Sequence, residues 1–168
     1  GGVIRGGKSS LYGGNIYGDS NSHIAILGGT VENGSSVRGG NLYCMGDVTL
    51  EGATITGGVA ELYRGNVYIN GTVDLSKNTV TGGMAGGKPE VVRLMRNGVQ
   101  LVSDHVTLND AVIKMWKDSA PDTLHLQLSG NVTENRTFTQ DIYLDLNGYA
   151  LTGITVSGKF YGMDSADG

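Results

Sequence analysis

Three asparagines set the frame for this chain. Asn15, Asn41 and Asn66 lie 26 and 25 residues apart, in the segments Gly14-Asn15-Ile16-Tyr17, Gly40-Asn41-Leu42-Tyr43 and Gly65-Asn66-Val67-Tyr68. Each is followed by a short alternating run, Ile24/Ile26, Val48/Leu50 and Val73/Leu75. A second run then ends near glycine, at Thr30-Val31, Thr54-Ile55-Thr56-Gly57-Gly58 and Thr79-Val80-Thr81-Gly82-Gly83. A repeat of about 25 residues with period-two strands and no helical period predicts one coil of a parallel β-helix. Alternation puts Ile24, Ile26, Val31, Val48, Leu50, Ile55, Val73, Leu75 and Val80 on one face. One coil cannot bury that face alone, so neighbouring coils must stack roughly 4.8 Å apart around a shared core. A leucine-rich repeat has a similar period, but its leucine-asparagine ladder and helical half are missing.

Composition narrows the class further. The chain holds 29 glycines among 168 residues, against a usual share of ~7%. With 2 prolines and no G-X-Y period it is not collagen, and glycine is instead expected at coil corners. A hydrophobic share of 39% with 17% charged residues argues against a disordered acidic tail. No apolar run approaches the ~18 residues of a membrane span, so no membrane insertion is expected. The net charge of −4 shows no basic patch and gives no reason to expect nucleic acid. Cys44 is the single cysteine and cannot form an internal disulfide.

The repeat reaches the first residue, since Val3-Ile4-Arg5-Gly6-Gly7 superposes on Thr54-Ile55-Thr56-Gly57-Gly58. Gly1 thus falls within a coil, and the chain reads as a piece of something longer, a processed fragment or a cut length. The pattern breaks after Gly86-Gly87. We therefore divide the chain into residues 1–88, coils of about 25 residues, and residues 89–168, a different order of elements. In the second part Val91, Val92 and Leu94 predict a strand, Asn97-Gly98 a hairpin turn, and Val99 with Leu101 the return strand. Thr107-Leu108-Asn109-Asp110 resembles a capping box ahead of a helix over about 108–118. Leu108, Ala111, Val112, Met115 and Trp116 give that helix one apolar stripe, and Pro121 ends it. Strands are expected at 124–128, 136–139, 142–146 and 154–160. Such a helix would cap a solenoid by covering strand edges and the open end of the core.

The segments Leu124-His125-Leu126-Gln127-Leu128, Asn131-Val132-Thr133 and Leu144-Asp145-Leu146-Asn147-Gly148-Tyr149, after the helix, carry a family resemblance. They resemble the opening of right-handed parallel β-helix domains, pectate-lyase-like in fold, found in large bacterial cell-surface and adhesin-type proteins. The coils of residues 1–88 are similar to later coils of the same domains. The resemblance implies an all-β, right-handed parallel β-helix solenoid with one short amphipathic capping helix. It implies an extracellular or cell-surface setting, but not one activity, because this fold hosts lyases, hydrolases, adhesins and inert stalks. Late-type coils preceding an opening-type cap fit a junction of tandem β-helices, head-to-tail stacking between molecules, or an arbitrary boundary.

No catalytic, cofactor-binding or metal-binding residue is assigned. Asn15, Asn41 and Asn66 read as a structural ladder, each side-chain amide bonding the coil above and below, with a sugar-contacting row as the alternative. Tyr17, Tyr43 and Tyr68 should stack beside it, or else grip a glycan ring. Glycosidases need two carboxylates facing one bond, whereas Asp19, Asp47 and Asp74 drift in position between strands. Asp145 alternates with Leu144 and Leu146, so it is expected to point outward and organise the Asn147-Gly148 turn. His23, His105 and His125 lack ligand spacing. Arg5, Arg38 and Arg64 precede glycine as corner residues, and Cys44 is expected to be buried. The expected function is that of an extracellular structural or adhesive β-helix fragment. Its expected partners are itself head-to-tail, adjacent β-helix domains, or host or microbial glycans. The alternative is a carbohydrate-active domain, a polysaccharide lyase or glycoside hydrolase, or a glycan-binding module.

Overall fold

A computed structural model describes residues 1–70, 73–97, 99–101, 105–108, 111 and 124–167. They form an all-β chain in which parallel strands stack into a β-solenoid of about three turns. The chain divides into two compact units, Gly1–Glu90 with Val99–Asp104, and Val91–Gly98 with His105–Gly168.

In the first unit three parallel ladders run side by side. One joins β1 (Val3–Arg5), β3 (His23–Glu32), β6 (Asp47–Thr56) and β9 (Thr79–Thr81). A second joins β2 (Ile16–Gly18), β5 (Leu42–Cys44) and β8 (Val67–Ile69). The third joins β4 (Ser35–Arg38), β7 (Val59–Tyr63) and β10 (Met84–Ala85), and β11 (Lys88–Pro89) turns back antiparallel onto β10. The registers align Ile4, Val31, Ile55 and Val80 in one row and Ile16, Leu42 and Val67 in another. Identical positions thus recur above one another, and apolar burial alone can select the register.

Every residue of the expected apolar face lies in this core. Val31, Leu50, Ile55, Leu75 and Val80 are buried, with Ile24, Ile26, Val48 and Val73 packed against them. Leu42, Cys44 and Val67 complete it from the second ladder. Burying a side chain of this size contributes roughly 1.5–3 kcal/mol. The third coil differs from its predecessors, because residues 73–75 form no strand although Leu75 is 1% exposed. Asn78 stands in for the missing pairing. Its Oδ1 accepts from the Ala53 N–H at 3.0 Å, and its Nδ2 donates to the Leu50 carbonyl at 3.1 Å, as a peptide group would.

The second unit has fewer residues per coil. β12 (Val92–Arg96) runs antiparallel to β14 (Leu124–Leu128), which pairs in parallel with β16 (Ile142–Asp145) and then β18 (Phe160–Met163). A second ladder joins β15 (Val132–Phe138) to β17 (Leu151–Val156). Leu126 aligns with Leu144 and then Gly162, so this coil is shorter than those of the first unit. Where one strand was expected over 154–160, β17 and β18 form two. Gly158 separates them in close contact with the Gln140 backbone. Asn97 takes the positive φ of 51° that a tight hairpin turn requires; Gly98 lies outside the described residues, and β13 (Val99–Gln100) follows. Most of the expected capping helix, with Asn109, Asp110, Val112, Met115, Trp116 and Pro121, also lies outside them. Leu108 and Ala111 are helical and fully buried. The Leu108 N–H donates to Glu134 Oε2 at 2.9 Å.

Candidate functional site

The side chains that the repeat singles out line up along the first unit. Each corner begins with a positive φ, at Gly6, Asn33, Gly57 and Gly82, followed by a glycine. Seven or eight residues later comes the asparagine. Asn15 Nδ2 donates to Asn41 Oδ1 at 2.8 Å, and Asn41 Nδ2 donates to Asn66 Oδ1 at 2.9 Å. Each of the three Nδ2 groups donates to a backbone carbonyl, of Glu32, Thr56 and Thr81 in turn. Each Oδ1 also accepts a glycine N–H, from Gly7, Gly34 and Gly58. Asn41 is fully buried and makes all four of its bonds. A buried amide so satisfied has nothing left with which to hold a sugar hydroxyl. The close fit also fixes Gly58, where a Cβ would strike the Gly65 carbonyl oxygen and Asn41 Nδ2.

Glu90 occupies the next place in this row, seven residues after Gly83. It is 7% exposed, and its Oε2 accepts from the Gly65 N–H at 3.0 Å. The corresponding N–H of the coil before, Gly40, donates to the Arg64 carbonyl, so the carboxylate takes the place of a next-coil carbonyl. Glu90 carries no Asn-aliphatic-Tyr signature, but the fixed offset from the glycine pair marks it.

The tyrosines stack beside the asparagines. Tyr17, Tyr43 and Tyr68 are register partners, with ring centroids 5.9 and 4.8 Å apart and planes within 16°. Tyr12, which lies outside the Asn-aliphatic-Tyr pattern, joins them at 4.4 Å from Tyr43. Arg38 pairs in register with Tyr12 on one side and Tyr63 on the other, its guanidinium 5.8 Å from both rings. Stacking of this kind contributes about 0.5–1.5 kcal/mol per pair beyond burial. It also uses the ring faces, and a glycan gripped by an aromatic residue needs a face. Tyr17 and Tyr63, each more than half exposed, keep the most ring surface open to solvent among these tyrosines. Burial, then the neighbouring Tyr68 and Tyr12, push the Tyr43 phenol above its ordinary value.

The acidic residues do not converge. Asp19 and Asp74 are exposed turn residues, with Asp19 accepting from Asn21 and Ser22 and Asp74 from Ser76. Asp47 faces His23 at 3.9 Å on the surface. Asp145 is the exception to its expected placement. It does face away from Leu144, yet it is 3% exposed, because Gln127 and Ser165 cover it. Gln127 Nε2, Ser165 Oγ and the N–H groups of Asn147 and Ser165 all donate to its carboxylate, at 2.7–3.0 Å. Burial alone would raise its pKa. The four donors outweigh burial and hold the carboxyl below its ordinary value. It organises the corner at Asn147, whose own φ is 49°.

Among the described residues no three His, Cys, Asp or Glu side chains gather as a metal site requires. Among them, too, no helix is long and apolar enough to cross a membrane. A cavity of about 640 Å³ opens in the second unit between Leu146, Tyr149, Leu151, Ile154, Val156 and Phe160, and its lining holds no carboxyl, amine or imidazole group. Set against protein-family models, curated proteins and solved structures, the chain matches none of them.

Proposed function

We propose that this chain is a structural and adhesive segment of an extracellular bacterial surface protein, a β-helix of the pectate-lyase-like type. It works by stacking coil on coil, against its own copies or adjacent β-helix domains. The observation that carries this reading is the allocation of the recurrent polar and aromatic side chains. Asn15, Asn41, Asn66, Tyr17, Tyr43 and Tyr68 each bond or stack to the neighbouring coil. Such rows give a rigid rod its cohesion, and rigidity along one axis is what a stalk or display scaffold needs. Light scattering of the purified chain over a concentration series is expected to show mass growing above 17.5 kDa. Constant mass, together with release of reducing ends or unsaturated uronides from a polysaccharide, would replace the reading with a carbohydrate-active one.

Glycan binding without turnover is the second reading. It is favoured by the exposed rings of Tyr17 and Tyr63 and by Arg38 between Tyr12 and Tyr63. Glycan-array binding lost on Tyr63→Ala, with the fold intact, would support it.

A further inference from the structure

The two ends of the first unit are not equivalent. At one end the chain turns back on itself: β11 covers β10, Pro89 has no N–H to offer, and the asparagine row gives way to the acceptor-only carboxylate of Glu90. At the other end the ladders stop at bare edges. Among the described residues β1 and β2 each pair on one side, with β3 and β5 respectively. Val3 and Ile4 are 58% and 48% exposed, whereas Val31 and Ile55 in the same row as Ile4 are 1% and 0%. Tyr17 is 56% exposed, and its partner Tyr43 is 8%. Among the described residues Asn15 Oδ1 accepts one hydrogen bond, from Gly7, while Asn41 Oδ1 and Asn66 Oδ1 each accept two. The bond lacking is the one a preceding asparagine would donate.

We infer that the edge formed by β1, β2 and Asn15 is a binding face for one further coil of this repeat, bearing the Gly-Gly corner and an Asn-aliphatic-Tyr segment. This face continues the coil-to-coil interface that the chain builds twice within itself. The incoming Asn Nδ2 bonds Asn15 Oδ1, the incoming tyrosine stacks on Tyr17, and the incoming β-branched residue covers Ile4. The inference rests on the scaffold reading and makes it more specific: the partner is a coil of matching period rather than a closed end like that of Glu90.

The test fuses a second copy of residues 30–53 ahead of Gly1 of the full chain, with a glycine-serine segment of equal length as control. In the copied coil Asn41 falls beside Asn15. Amide exchange in β1 and β2 is expected to slow by about tenfold or more relative to the control. Asn41→Asp in the added copy alone keeps the shape and removes the donor, and is expected to reverse most of the protection. Unchanged exchange in β1 and β2 would overturn the inference, as would equal protection by the Asn and Asp versions. Failure of the scaffold reading shows separately, as constant mass with carbohydrate turnover in the unfused chain.

Discussion

At the residue scale, stability is concentrated in groups that cannot be removed one at a time without leaving a partner buried and unmet. Asn41→Ala would strand the Gly34 N–H and take one hydrogen bond each from the Thr56 carbonyl and the two neighbouring amides. It is expected to cost about 1–3 kcal/mol or more, read as a fall in the urea unfolding midpoint. Gly58→Ala is expected to destabilise comparably through backbone displacement, with the same readout. Asp145 gives a pH signature. Its carboxyl is held below the ordinary value of about 3.9, so its contribution is complete above that pH. The contribution is lost as pH falls through the lowered value. Asp145→Asn should lower stability at neutral pH and flatten this acid dependence, as acid titration of the unfolding midpoint would show. The asparagine row was legible from spacing alone, because identity and interval recur together. Glu90 escaped that reading because it keeps the interval and changes the identity. The burial of Asp145 was hidden for another reason: its cover, Ser165, lies 20 residues away.

At the element scale, strands form where apolar alternation repeats at the coil interval, and they fail where a side chain can replace the ladder. Residues 73–75 keep the alternation of Ile24/Ile26 and Val48/Leu50, so sequence predicts a third short strand there. Asn78 instead serves Ala53 and Leu50 directly, and the apolar side chains stay in the core without strand geometry. Asn78→Ala should therefore expose this corner, with faster amide exchange at Ala53 as the expected result. The tyrosine stack has the opposite pH sense to Asp145. With the Tyr43 phenol raised above its ordinary value of about 10, the stack's contribution is intact below that pH. It is lost as pH rises through the raised value. Tyr43→Phe should keep the stack and remove the alkaline loss, measured by unfolding across that range. Tyr12 was not legible as a member of this stack, because it precedes its coil's asparagine instead of following it.

At the scale of the molecule, the fold class was legible because a 25-residue interval without helical periodicity leaves few ways to bury an apolar face. The shorter coil of the second unit was less so: Leu126 aligns with Leu144 and Tyr143 stacks on Tyr161 at 4.4 Å, but no Asn-aliphatic-Tyr signature marks the interval. Among the described residues of the first unit, inner strands have neighbours on both sides and β1 has one. Exchange should accordingly be slowest in β6 and faster by an order of magnitude or more in β1. The asparagine row adds a property that no single rung possesses. Every Nδ2 points towards the third coil and every Oδ1 back towards the first. The amides thus form an aligned chain of dipoles, positive at the Asn66 end, where the Glu90 carboxylate stands beside Asn66 Nδ2 over Gly83. Aligned amides polarise one another, so the spine carries electrical direction as well as mechanical stiffness, with the buried carboxyl group of Glu90 seated at its positive pole.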